Sequence, residues 1–169
     1  MNSARTLYLI LNVIIFLLLI SIGLGIIVLA MTLLGVKQEF IGLKHDALIF
    51  KTESMLYIFT FLKLVVYVVF VVALWKLRRA TKLLLNKDFY NSELLIGMFN
   101  SGKLMVLSSV SLWFIDEIGN MFFKRKVFIG LSEKTLVYLL IIAMGLFLML
   151  MSTIIRDAKV IKEENDLTV

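Results

Sequence analysis

Residues 6–36 form an uninterrupted run of 31 positions without a charged side chain, and nearly all of them are apolar. A hydrocarbon core of ~30 Å takes about 20 helical residues to cross. A soluble surface helix keeps one polar face, and this run keeps none. A membrane span is therefore expected at 6–34, longer than a flat crossing needs and so tilted or protruding. The competing reading is a cleaved secretory signal, whose apolar region is ~7–15 residues and ends at a small-residue cleavage site. Here Ser21, Gly23 and Gly25 sit in the middle of the run with a further apolar half behind them, so a retained first helix is the expectation. Small residues at that spacing let a second helix approach closely; an incidental small patch is the alternative.

The rest of the chain repeats the pattern. Of its 169 residues, 61% are hydrophobic and 18% charged, against about 45–50% and roughly 25% in soluble domains. A small domain has too little interior to hide that excess. Further spans are expected at 54–75, 93–115 and 135–155, with a polar tail at 156–169. The fold class that follows is an all-α, integral membrane four-helix transmembrane bundle, one membrane domain over 1–169. Trp75 and the basic cluster Lys76, Arg78, Arg79 and Lys82 close the second span, as an interfacial aromatic and a cationic flank do. Asn86, Asp88, Asn91 and Ser92 are turn and cap formers, so the chain reverses there. The third span has two frames. One is 93–115, which buries Lys103; the other is 104–123, which buries Asp116 and Glu117. The first is preferred, because it starts at a cap-like Asn91–Ser92, places Trp113 and Phe114 at an interface and buries one cation instead of two anions. It leaves Asp116 and Glu117 in the loop beyond.

Orientation follows from cations counted by side. Nine lie at the N-terminus, the second loop and the tail, and seven in the first and third loops. The short second loop, with five cations near the helix ends, decides for both termini in the cytoplasm. The net charge of +6 is then juxtamembrane Lys and Arg facing anionic lipid, not a nucleic-acid surface.

Several chemistries have no residues to carry them. There is no Cys and a single His, His45, so no thiolate site and no His metal cluster can be built within the chain. Gly-rich phosphate loops, HExxH and Gly-x-Ser-x-Gly are missing. Asp116 and Glu117 are adjacent, and neighbours on a helix point ~100° apart, so they do not converge on one substrate. The nine Met read as adaptable packing. No catalytic, cofactor-binding or metal residue is expected, and the chain is read as a non-enzyme.

Charges inside the spans are the sharpest features, since a Lys at mid-helix in lipid costs about 2.5–3.5 kcal/mol on insertion scales. Lys63 lies near the outer end of the second span and Asp116 and Glu117 just past the outer end of the third. A snorkelling Lys stem is expected to meet one of those carboxylates. Lys103 has Asn100 and Ser101 beside it, with Asn12 of the first helix at similar depth. Ser108, Ser109 and Ser111 continue the polar line. Either these groups form a polar intramembrane pocket or path for a small solute or ion, or they are a satisfied network that fixes packing while Lys103 snorkels. No carboxylate stands at mid-span in the preferred frame, which argues against a proton-coupled pump.

In the tail, Ile154, Ile155, Ala158 and Ile161 keep helical spacing, so the fourth helix is expected to leave the membrane as a helix. Glu and Asp near a helix C-terminus oppose its dipole, so fraying is expected near Asn165, with Leu167-Thr168-Val169 extended. The run Glu164-Asn165-Asp166-Leu167-Thr168-Val169 fits E-x-D-L-T-[IV]. On that motif, and on Asn86-Lys87-Asp88-Phe89 in the second loop, the chain resembles a bacterial family of small four-helix integral membrane proteins whose activity is not known. The resemblance spans nearly the whole length. A Gly usual in the family's turn is absent here, and Asp157 stands where a Gly often follows the Arg closing helix four. It implies a cytoplasmic-membrane protein often encoded beside a small helix-turn-helix regulator. The expected contacts are Glu164, Asp166, Leu167 and Thr168 in the tail and Phe89 in the loop. The expected partners are the bilayer and either a second copy or another membrane or cytoplasmic protein.

Overall fold

The computed structural model describes residues 2–34, 53–85, 91–124 and 132–167. Four helices fill these ranges: α1 (Asn2–Leu33), α2 (Glu53–Leu85), α3 (Ser92–Lys124) and α4 (Glu133–Leu167). The chain is all-helical over the described residues, and each helix is long and apolar enough to cross a membrane. His45, Phe89 and Thr168 fall outside the described residues.

Three expectations about helix ends need correction. α2 does not stop at Trp75 but continues to Leu85, because 76–85 is rich in Lys, Leu, Arg and Ala, strong helix formers with no Gly or Pro to break them. The two frames for the third helix are not alternatives, since α3 runs unbroken through both. Asp116 and Glu117 therefore lie in a helix, not in a loop. The helix can carry Asp116 because Lys63 of α2 neutralises it and Tyr138 of α4 hydrogen-bonds it, as described below. The tail does not fray at Asn165; α4 is helical to Leu167, over a stretch of helix formers braced by Lys159 and Glu163 at i,i+4, 3.8 Å apart. Side chains cap two starts. The Glu93 N–H donates to Asn91 Oδ1 at 2.8 Å and the Thr135 N–H to Ser132 Oγ at 3.2 Å, each satisfying one orphan donor of a first turn.

The helices pack in chain order: α1 on α2, α2 on α3, α3 on α4. Contacts Tyr8–Arg78, Arg79–Glu93 and Leu95–Ser152 put the start of α1, the end of α2, the start of α3 and the end of α4 at one end of the bundle. The α1–α2 seam is apolar, with Leu11 and Ile15 on Leu74 and with Leu18, Phe70, Val71 and Leu77 around them. The α2–α3 seam is made of small residues. Ser101 Oγ donates to the Ala73 carbonyl at 2.8 Å, and a Cβ on Gly97 would stand 3.4 Å from that of Ala80.

The α3–α4 seam repeats every seven residues on both helices. Leu95 meets Ser152, Gly102 meets Gly145, and Ser109 meets Tyr138. A seven-residue repeat is the spacing that keeps one helix face on its neighbour. At its centre the backbones nearly touch: a Cβ on Gly145 would lie 2.8 Å from the Gly102 carbonyl oxygen. The hydroxyls of Ser109 and Ser152 donate across the seam to the Tyr138 and Leu95 carbonyls at 2.9 and 2.8 Å. Close packing of small residues and interhelical hydrogen bonds are the attractions that hold helices together where lipid removes the hydrophobic drive between them. The small residues of α1 play no such part. Among the described residues, nothing lies within 4 Å of a Cβ on Gly23, and one on Gly25 meets only the Leu64 side chain at 3.7 Å. Most large apolar side chains of α1 and α4 point outward, Phe16, Leu24, Leu140 and Leu150 among them.

Candidate functional site

Two polar sites stand out, at opposite ends of the bundle. The first joins three helices. Lys63 Nζ of α2 pairs with Asp116 Oδ1 of α3, and the Tyr138 hydroxyl of α4 donates to Asp116 Oδ2 at 2.5 Å. Both carboxylate oxygens are thus engaged, one by a charge and one by a hydrogen bond. The Tyr138 backbone carbonyl accepts from Ser109, so the residue that holds Asp116 is itself tied to α3. Lys63 is 38% exposed and Asp116 15%, so the carboxylate is the more buried partner. Glu117, half-buried one position along, does not join the pair. The arrangement is a neutralised brace across α2, α3 and α4.

The second site is at the end where Tyr8 and Arg78 meet. Arg78 donates to the Tyr8 hydroxyl at 3.2 Å, and its guanidinium lies 5.4 Å from the centre of the Tyr8 ring. Arg79 pairs with Glu93 in the first turn of α3. With Trp75 and Lys82 these residues line an open cleft of about 540 Å³. Sequence reading grouped the cations as a flank. It missed Tyr8 and Glu93, which reach the cleft from other helices, and it missed Tyr138 at the first site for the same reason.

The remaining sequence-derived residues do not gather into one site. Lys103 is exposed, on the face of α3 turned away from the Ser101 and Gly102 seams, with Ile96, Leu107 and Phe114 exposed along the same stripe. In register with Ala73 opposite Ser101, it lies about one helical turn, roughly 6 Å, beyond the level of Trp75, within reach of a snorkelling stem. Asn100 is half-buried on α3, and Asn12 is half-buried on α1, a helix that packs on α2. The buried Ser101, Ser108 and Ser109 hydroxyls all donate to carbonyls, of Ala73, Met105 and Tyr138. In the tail, Glu164 is exposed and Asp166 and Leu167 lie in the last turn of α4. Among the described residues no group of three His, Asp or Glu comes together that could hold a metal ion.

No family model, no curated protein and no solved structure matches the chain.

Proposed function

We propose that this chain is a multi-pass protein of the cytoplasmic membrane, with both termini in the cytoplasm, that works by contact with another protein and not by catalysis. The supporting observation is the end of α4. Leu95 sits opposite Ser152 and α3 starts at Ser92, so from about Ile155 onward α4 runs past the start of α3. It continues as a helix to Leu167, roughly 18 Å further, with Ile154, Ala158 and Ile161 on one face and Val160 and Ile161 exposed. A helix with an apolar stripe and charges around it is a form that another chain's groove accepts. Glu164, Asp166, Leu167 and Thr168 complete that contact and Phe89 adds to it. The partner is a second copy or a membrane or cytoplasmic protein, and the family resemblance suggests a helix-turn-helix regulator.

The cations at the same end support a cytoplasmic placement, and outward apolar side chains on all four helices support lipid as the solvent. The test is crosslinking in native membranes with a photoreactive residue at Ile161, in the full chain and in one ending at Glu163. Partners captured by the full chain and lost on truncation support the proposal. Identical partner sets remove the tail from it. A reporter fused after Val169 that is active only outside the cell overturns the orientation. A chain that stays monomeric in buffer without detergent overturns the membrane reading altogether.

A further inference from the structure

We propose that the cleft at the basic end of α2 is a binding site for a phosphate-bearing anion, held by Arg78 and Lys82 with Arg79 as a third cation. Trp75, Arg78, Arg79 and Lys82 stand at i, i+3, i+4 and i+7, so all four fall on one helix face. Like charges at these spacings repel, and Glu93, the only carboxylate lining the cleft among the described residues, balances one of the three. The cleft's volume of about 540 Å³ is that of a small-ligand site, ~300–1,000 Å³.

Its walls are prepared for an anion. Tyr8 fixes Arg78 by a hydrogen bond and by its ring face. That takes one N–H of a guanidinium with five and leaves a planar fork suited to phosphate oxygens. The N-terminus of α3 opens at the same place, with Asn91 capping it and Glu93 in its first turn, so the helix dipole adds to the positive potential. Glu93 holds the position of an internal anion on Arg79, and a bound phosphate takes over that charge. Trp75, 56% exposed, supplies an apolar wall of the kind found where hydrocarbon meets headgroups. The phosphate comes from a lipid headgroup or from a soluble anion; the chemistry is the same. The tail plays no part in this inference.

The experiment uses the full chain in nonionic micelles with Trp113→Phe, which leaves Trp75 as the only reporter. One arm adds phosphatidylglycerol, a second adds inorganic phosphate, and phosphatidylcholine is the control for lipid without net charge. A saturable change in Trp75 emission is expected in at least one of the two phosphate arms. A lipid response at concentrations where inorganic phosphate gives none assigns a headgroup, and an equal response to inorganic phosphate assigns a soluble anion. Arg78→Gln with Lys82→Gln weakens binding about thirtyfold. Glu93→Gln, which keeps all three cations, tightens it. No saturable response in either arm, or equal affinity in the double variant, overturns the site. Unchanged or weaker binding in Glu93→Gln overturns it independently of how the double variant folds.

Discussion

Replacing Gly145 by Ala tests what holds α3 on α4. The new Cβ would stand 2.8 Å from the Gly102 carbonyl oxygen, 2.8 Å from Val106 Cγ2 and 3.3 Å from Met105 Cβ. Bringing the 2.8 Å contacts out to ordinary distance moves the helices apart by roughly 0.6 Å. Overpacking of this kind costs ~1–3 kcal/mol. The hydroxyl bonds one heptad to either side, at 2.9 and 2.8 Å, would stretch to about 3.4–3.5 Å, the edge of useful geometry. Each such bond in a membrane bundle is worth ~0.6 kcal/mol. Against these losses, Ala gains up to about 1 kcal/mol over Gly in helix propensity. The expected net is a destabilisation of about 2 kcal/mol, or roughly thirtyfold in the folded-to-unfolded ratio. The assay is equilibrium unfolding in mixed micelles by SDS titration, followed by circular dichroism and retention on size exclusion. Gly23→Ala is the control, since nothing lies within 4 Å of its new Cβ; it should be neutral or stabilising by up to ~1 kcal/mol. If Gly145→Ala matches wild type within error, or if Gly23→Ala loses as much, close backbone approach is not what fixes this seam.

Other perturbations address the remaining contacts. Lys63→Glu sets two carboxylates together and should lower accumulation in the membrane, and adding Asp116→Lys should restore it in part by reversing the pair; immunoblots of membrane fractions without rescue would count against the brace. Tyr138→Phe removes a hydrogen bond to a charged acceptor and should cost ~1–2 kcal/mol by SDS titration, whereas wild-type stability would show that Lys63 alone satisfies Asp116. Ser152→Ala, which deletes the bond to the Leu95 carbonyl, should cost about 0.6 kcal/mol in the same assay. Lys103→Ala should leave solute or ion flux through reconstituted vesicles unchanged, and a flux lost in that variant would revive a permeation role for Lys103, Asn100 and Asn12.

The sequence by itself determined that the chain is four long apolar helices. Hydropathy is a sum over neighbouring residues, and the absence of charge from 6–36 or of Pro from every helix is visible without knowing what packs where. It also drew attention to Lys63 and to the carboxylates at 116 and 117, because a charge among apolar neighbours demands an answer. Only the tertiary structure decided which carboxylate gives that answer, that Tyr138 completes it, and that Lys103 faces outward. Those outcomes depend on which helix faces meet, and therefore on the register between helices far apart in the chain. The same holds for the glycines. Gly23 and Gly102 look alike in a one-dimensional string, yet only Gly102 has a backbone against it. Helix ends fell between the two: good helix formers carried α2 and α4 past the end of the apolar run, since the edge of such a run says where hydropathy falls and not where a helix stops.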